Sequence, residues 1–231
     1  MRLDSIGDKI GSLAAQIQVL DYGSGNLFSI QNSLERLSKD SREQVNMIVD
    51  SRYRSADEVD ALVLPGVGSF PSAQRILSEN KEAILRDVRE KKMPLLGICL
   101  GMQLLFESSE EGPGEGLKLF RGSVKRFVPT AHCKVPHMGW NTMNPSQSSP
   151  DRDLTLCAGI GRSEWVYYVH SYFPEPYDSS IVEAWSEYAG TKFPAVVSEG
   201  SVFGTQFHPE KSHTAGSRIL SNFLTLALER R

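Results

Sequence analysis

The sequence predicts an α/β fold in one domain: a mostly parallel central sheet flanked by helices, with an additional antiparallel portion. Three observations predict it. Short apolar runs at 17–21, 45–49, 61–64 and 95–98 alternate with stretches whose apolar residues recur at helical spacing, the pattern of βαβ units. Several of these runs end directly in turns built around Gly or Pro. The middle of the chain, 121–185, is instead rich in Gly, Pro and alternating patterns, which favour antiparallel strands and loops.

In chain order, 17–21 reads as the first strand. Over 27–37, Ile30, Leu34 and Leu37 fall on one helical face. Segments 45–49 and 61–64 read as buried strands, followed by helices within 72–78 and within 81–91. A strand over 95–98 feeds a helix starting at Leu100. After the antiparallel section, 195–197 and 202–207 return to strand, and 217–228 forms an amphipathic helix. No internal repeat or linker divides the chain, so the domain spans 17–231. Residues 1–16 read as an N-terminal extension, disordered or weakly helical, with Ile6, Ile10 and Leu13 at i, i+4, i+7. That stretch lacks an uninterrupted apolar region, and Asp4 and Asp8 argue against a transit peptide.

The candidate chemistry begins at Gly97-Ile98-Cys99-Leu100-Gly101, the predicted strand-to-helix turn. A nucleophile on such an elbow projects above the sheet, its flanking glycines let strand and helix approach, and the helix N-terminus favours thiolate over thiol. Alone, Cys99 also reads as a small core residue. However, 109 positions downstream a predicted strand ends in His208-Pro209-Glu210. Cysteine catalysis needs a base within hydrogen-bond reach and a third group to orient the imidazole. Pro209 restricts the backbone there, and extended geometry through it would put His208 and Glu210 on one side. Cys99 as nucleophile, His208 as base and Glu210 as orienter form a complete set. Parallel sheets place ligands at the carboxyl ends of their strands. Pro65-Gly66-Val67-Gly68, Cys99 and His208 each follow a predicted strand, so one crevice collects all three.

These segments carry a resemblance. The chain resembles the class I, triad-type glutamine amidotransferases, and among them the glutaminase subunits of imidazole glycerol phosphate synthase. The matching stretches are Asp21-Tyr22-Gly23-Ser24-Gly25-Asn26-Leu27, Leu64-Pro65-Gly66-Val67-Gly68-Ser69-Phe70, the Cys99 elbow, Lys134-Val135-Pro136-His137-Met138-Gly139-Trp140-Asn141, Tyr168-Val169-His170-Ser171-Tyr172 and the segment around His208-Pro209-Glu210-Lys211-Ser212. They run in family order from 17 to the C-terminus. The elbow and His-Pro-Glu belong to the whole class, whereas Pro-His-Met-Gly-Trp-Asn and His-Pro-Glu-Lys-Ser are narrower.

The resemblance implies the class I amidotransferase fold and hydrolysis of L-glutamine to glutamate and ammonia through a Cys99 thioester. The oxyanion hole is expected from the amide of Leu100, directly after the nucleophile, and from that of Val67. The other reading of the Val67 loop is a plain Gly-rich turn. By similarity, Gly68, Gln103 and Glu111 hold the amino-acid end of the substrate, Ser171 and Tyr172 line the site, and His170 is structural. The implied partner is a (β/α)₈-barrel cyclase subunit that uses the ammonia to form imidazole glycerol phosphate and aminoimidazole carboxamide ribonucleotide in histidine biosynthesis. Pro136, Met138 and Trp140 are candidate interface anchors, and Lys211 a candidate ion-pair donor to that partner. Against this stand core roles for Met138 and Trp140 and a solvated Lys211. Two alternatives to the whole reading stay open: a class I glutaminase serving vitamin B6, tryptophan or nucleotide synthesis, and a non-catalytic binding module of the same fold.

Composition agrees. At 231 residues and 40% hydrophobic content the chain buries a sizeable core. A net charge of −3 without a basic stripe argues against a nucleic-acid partner, and the apolar runs are too short to span a bilayer. Three cysteines, an odd number, suit a reducing cytoplasm better than a disulfide framework. Cys133 and Cys157 sit in no motif and read as structural or incidental. The reading calls for no metal and no cofactor.

Overall fold

A computed structural model describes residues 14–23, 27–40, 45–131, 133–146 and 155–229. The expected tail lies outside the described residues up to residue 13, as do Ser24, Gly25 and Asn26 of the first motif. Strand β1 (Ala15–Leu20) begins two residues ahead of its expected start and is covered on both faces, as strands of a parallel sheet are. Helix α1 (Leu27–Asp40) sends Ile30 and Leu34 into the core. Strand β2 (Val45–Asp50) forms where read but is not buried, because it lies at the edge of the sheet with every residue partly or fully exposed, whereas β3 (Ala61–Leu64) is buried as read.

The two helices expected next are one, α2 (Phe70–Glu90). The polar interruption at Asn80 does not break it, because tertiary partners satisfy that side chain. Asn80 accepts from the Tyr53 amide at 2.8 Å and donates to Ser51 O at 3.2 Å and Ile76 O at 3.0 Å. Strand β4 (Leu95–Ile98) leads to α3 (Leu100–Gln103), a single turn rather than a full helix. Its continuation is captured by another segment: the amide of Leu117 donates to Leu104 O at 2.7 Å, and that of Leu119 to Leu105 O at 2.9 Å.

A short strand, β5 (Ser108–Ser109), comes next and pairs in parallel with the strand that follows it. The middle section is then antiparallel as expected, with β6 (Gly122–Arg126), β7 (His137–Pro145), β8 (Glu164–His170), β9 (Tyr172–Pro176) and β10 (Val182–Tyr188). Strands β11 (Thr191–Glu199) and β12 (Val202–Thr205) precede α4 (His213–Leu228). Helix α4 starts four residues before the expected 217, and β12 stops two residues before the expected 207.

The main sheet has nine strands in the order β2-β1-β3-β4-β12-β11-β10-β7-β8, and β5-β6-β9 form a smaller one. Strands β2 through β12 of that order pair in parallel, and the antiparallel portion continues from β11. Two apolar clusters cover the faces, one containing Ile17, Leu34, Phe203 and Phe223, the other Leu62, Phe70, Leu77 and Leu100. Among the described residues, no helix is long and apolar enough to cross a membrane.

The central three strands decide where chemistry can sit. Strand β4 lies between β3 and β12, with Leu64 opposite Gly97 and Thr205 opposite Ile98. The residues that follow these ends are the Pro65–Gly68 loop, Cys99, and Gln206 to His208. They emerge side by side.

Candidate active site

The elbow at Cys99 is strained and tightly enclosed. Cys99 has φ 51° and ψ −101°, a conformation a side chain adopts only where packing enforces it. Glycine is required on both sides of it. A Cβ on Gly101 would lie 2.1 Å from Leu64 O, and one on Gly97 2.6 Å from the Gly101 carbonyl. Gly66 packs against the site itself, its missing Cβ lying 3.1 Å from both Cys99 Cβ and His208 Cε1.

His208 follows β12 and is fully buried. Its Nδ1 lies 2.9 Å from Glu210 Oε1. The chain does not stay extended through Pro209; a 3₁₀ turn over Pro209–Lys211 curls Glu210 back under the imidazole instead. That turn is held by Ser212, whose hydroxyl donates to His208 O at 2.6 Å and accepts from the Tyr167 amide at 2.9 Å. The other imidazole nitrogen, Nε2, is buried and turned toward the Cys99 sulfur. Burial by itself lowers the His208 pKa, but the neighbouring Cys99 sulfur, together with the Glu210 carboxylate, raises it to about 10. The imidazole is therefore held protonated beside the Cys99 sulfur.

A cavity of about 330 Å³ opens over the sulfur. Its walls include Val67, Gly68, Cys99, Leu100, Gln103 and Glu111 on one side. Pro136, Val169, His170, Ser171 and Tyr172 line the other. The structure thus brings together every residue expected to bind substrate or stabilise an oxyanion. The amide of Leu100 opens α3 and has no partner within that turn. Glu111 is partly committed, because its Oε2 accepts from the Phe70 amide at 2.7 Å, which ties it to the start of α2. Among the described residues no cluster of three or more His, Cys, Asp or Glu could hold a metal ion.

The sulfur has two further contacts that the sequence reading missed. Cys99 Sγ donates to Val169 O at 3.8 Å, and Gln206 Nε2 donates to Sγ at 3.5 Å. A usable signal for Gln206 was its place two residues before His208 on the same strand end, hence on the same side. His170 is structural, as expected, but not passive. Its Nδ1 lies 2.8 Å from Tyr172 O and its Nε2 2.9 Å from His137 Nδ1, with Asn141 Nδ2 3.3 Å from His137 Nε2. Burial lowers His137 to about 4 and His170 to about 3, so both are neutral.

Met138 and Trp140 are not core residues, being 63% and 43% exposed. Trp140 stacks on His213 with ring centroids 4.9 Å apart, and the exposed Lys211 lies over the Tyr167 ring at 5.9 Å. Pro136 is exposed at the cavity rim. All three cysteines are free thiols. Cys157 is raised by burial and by Glu183, which makes it a poor nucleophile.

Comparison with known proteins agrees with this geometry. Residues 18–227 match the glutamine amidotransferase class-I family. The chain is 46% identical over 220 residues to the imidazole glycerol phosphate synthase subunit HisH of Geobacillus kaustophilus, covering 93% of this chain and 98% of that one. To the protein of the same name from Synechococcus sp. strain JA-3-3Ab it is 40% identical over 218 residues, covering 94% and 96%. A crystal structure of a glutamine amidotransferase from Thermotoga maritima superimposes with a TM-score of 0.61 at 17% identity, covering 94% of this chain and 98% of that one. The chain belongs to the class I glutamine amidotransferases and, within them, to the family of imidazole glycerol phosphate synthase HisH subunits.

Proposed function

We propose that this chain is the glutaminase subunit of imidazole glycerol phosphate synthase, with Cys99, His208 and Glu210 as its catalytic residues. The observation that carries the reading is the buried His208, bound to Glu210 on one nitrogen and facing with the other the Cys99 sulfur, which lines a cavity of about 330 Å³.

In this reading the Cys99 thiolate attacks the side-chain carboxamide carbon of glutamine. The resulting oxyanion is held by the amides of Leu100 and Val67, each worth about 3 kcal/mol in such sites. The His208 imidazolium gives its proton to the departing nitrogen, the C–N bond breaks, and ammonia leaves a γ-glutamyl thioester. Acylation also removes the sulfur charge that held His208 protonated. The imidazole, now neutral and oriented by Glu210, takes a proton from water, which attacks the thioester. Collapse releases glutamate and restores the thiolate–imidazolium pair. Gly68, Gln103 and Glu111 hold the amino-acid end of the substrate, with Ser171 and Tyr172 along its side.

Ammonia released into neutral water would be protonated and lost as a nucleophile, so a shielded path to a second active site is required. The partner proposed is the cyclase subunit, docking on the exposed face that carries Pro136, Met138, Trp140 and Lys211. The free thiols suit the reducing cytoplasm. The test is steady-state glutamine hydrolysis with and without the cyclase subunit and its nucleotide ligand. Cys99→Ala and His208→Ala should each lower turnover by about three orders of magnitude or more, with the double variant little worse, since such groups act as a unit. Glu210→Gln should retain more activity. Near wild-type turnover in His208→Ala, or no response to the cyclase subunit, would refute the assignment.

A further inference from the structure

One buried residue beside the Cys99 sulfur is left unused by the mechanism above. Gln206 is fully buried, and its amide nitrogen is 3.5 Å from the Cys99 sulfur. We propose that Gln206 is a positioning residue that holds the Cys99 sulfur as a thiolate, its amide locked nitrogen-first by hydrogen bonds that run from the Tyr172 carbonyl through Gln103. The proposal rests on Cys99 being the nucleophile.

The direction of these bonds follows from groups that can act in only one way. The Asn141 oxygen accepts from the Thr142 amide at 2.8 Å, and its nitrogen donates to Glu187 O at 2.8 Å. That amide is therefore fixed, and its nitrogen can only donate to His137 Nε2. His137 is neutral, so its proton lies on Nδ1 and points at His170 Nε2, which forces the His170 proton onto Nδ1 and toward Tyr172 O. The same carbonyl accepts from Gln103 Nε2 at 2.9 Å. A carbonyl cannot donate, so Gln103 must present its nitrogen there. The second hydrogen of that nitrogen faces Gln206 Oε1 at 3.4 Å. Gln206 accepts with its oxygen and is left to offer its nitrogen to the sulfur.

The consequence for the sulfur is a choice between two partners. A thiol can donate to Val169 O, whereas a thiolate is repelled by that carbonyl and stabilised by the Gln206 N–H. A hydrogen bond to a charged acceptor is worth enough to change an equilibrium about tenfold. A thioester sulfur is a weak acceptor, so the N–H is most useful when the free thiolate must form, at attack and again when it departs in thioester hydrolysis.

The test uses the full chain and iodoacetamide, which reports the thiolate fraction of Cys99 whether or not glutamine is turned over. Gln206→Met removes the donor, and Gln206→Glu keeps the shape and the acceptor for Gln103 while facing the sulfur with oxygen. Both should move the midpoint of Cys99 alkylation to higher pH, Gln206→Glu furthest. On the rising limb, below the midpoint, the rate should fall about tenfold or more, with the high-pH plateau unchanged. Either variant alone decides the matter if the other fails to fold, which thermal melts will reveal. In the wild-type chain the Gln206 side-chain amide resonances should shift with the same midpoint as alkylation. An unmoved midpoint in a folded variant, or amide signals that ignore the titration, would overturn the proposal. Loss of glutamine turnover without a change in the alkylation profile would overturn it while leaving Cys99 as nucleophile. A Cys99 that alkylates as described but forms no γ-glutamyl thioester would instead refute the underlying reading.

Discussion

At the scale of single residues, His208 carries an unusual balance of forces. Complete burial favours its neutral form, yet Cys99 and Glu210 outweigh burial and hold it protonated up to about pH 10. The balance makes Cys99 the main cause of the imidazole's charge. Cys99→Ala should therefore bring the His208 pKa well below 10, toward or under the ordinary imidazole range, while Glu210 stays in place. An NMR titration of the imidazole carbons measures this directly, and an unchanged midpoint would mean that Glu210 alone sustains the charge. Cys99, His208 and Glu210 were all legible in the sequence, because the Gly-flanked cysteine and His-Pro-Glu each end an apolar run. Gln206 was not legible as a sulfur partner. Its place two positions before His208 puts it on the same side, but nothing local marks it as a sulfur contact, and its orientation depends on Gln103 and Tyr172, remote in sequence.

At the scale of elements, the strands were read well and the helices less well. Apolar runs such as 61–64 and 95–98 are intrinsic to the sequence and coincide with β3 and β4. Helix limits depended on tertiary bonds instead. Helix α2 survives Asn80 because Tyr53 and Ser51 satisfy it, and α3 stops at Gln103 because the 117–119 segment takes the carbonyls of Leu104 and Leu105. The curl of Glu210 beneath His208 was hidden for the same reason, since Ser212 and Tyr167 hold that turn from outside it. The β3–α3 contact is a tight joint of this kind, with a Cβ on Gly101 lying 2.1 Å from Leu64 O. Gly101→Ala should cost about 2 kcal/mol or more, as overpacking against backbone does. A chemical denaturation midpoint equal to that of the parent would contradict the close approach of Leu64 O.

At the scale of the whole molecule, buried imidazoles couple stability to pH. His137 and His170 have folded pKa values lowered to about 4 and about 3, so below about 6.5 the unfolded chain binds protons that the folded chain refuses. Stability should be full above that value and fall progressively toward pH 4. His208, raised in the folded state, contributes in the opposite sense, but its window lies mostly between 6.5 and about 10. Between pH 7 and pH 5 the net loss should be on the order of 2 kcal/mol, above the range where carboxylates titrate. Thermal melts at the two pH values check it, and equal midpoints would mean that the imidazoles are less shielded than described. The alignment of β12 on β4 has a broader meaning for how such a chain can vary. Thr205 stands opposite Ile98, and a slip by one residue would swing Gln206 and His208 away together and bring Phe207 to the sulfur. Backbone bonds maintain that alignment whatever side chains surround them. The chemistry of this chain is therefore set by a phase between two strands as much as by the letters that compose them, since a one-residue shift would keep every catalytic letter and scatter the site.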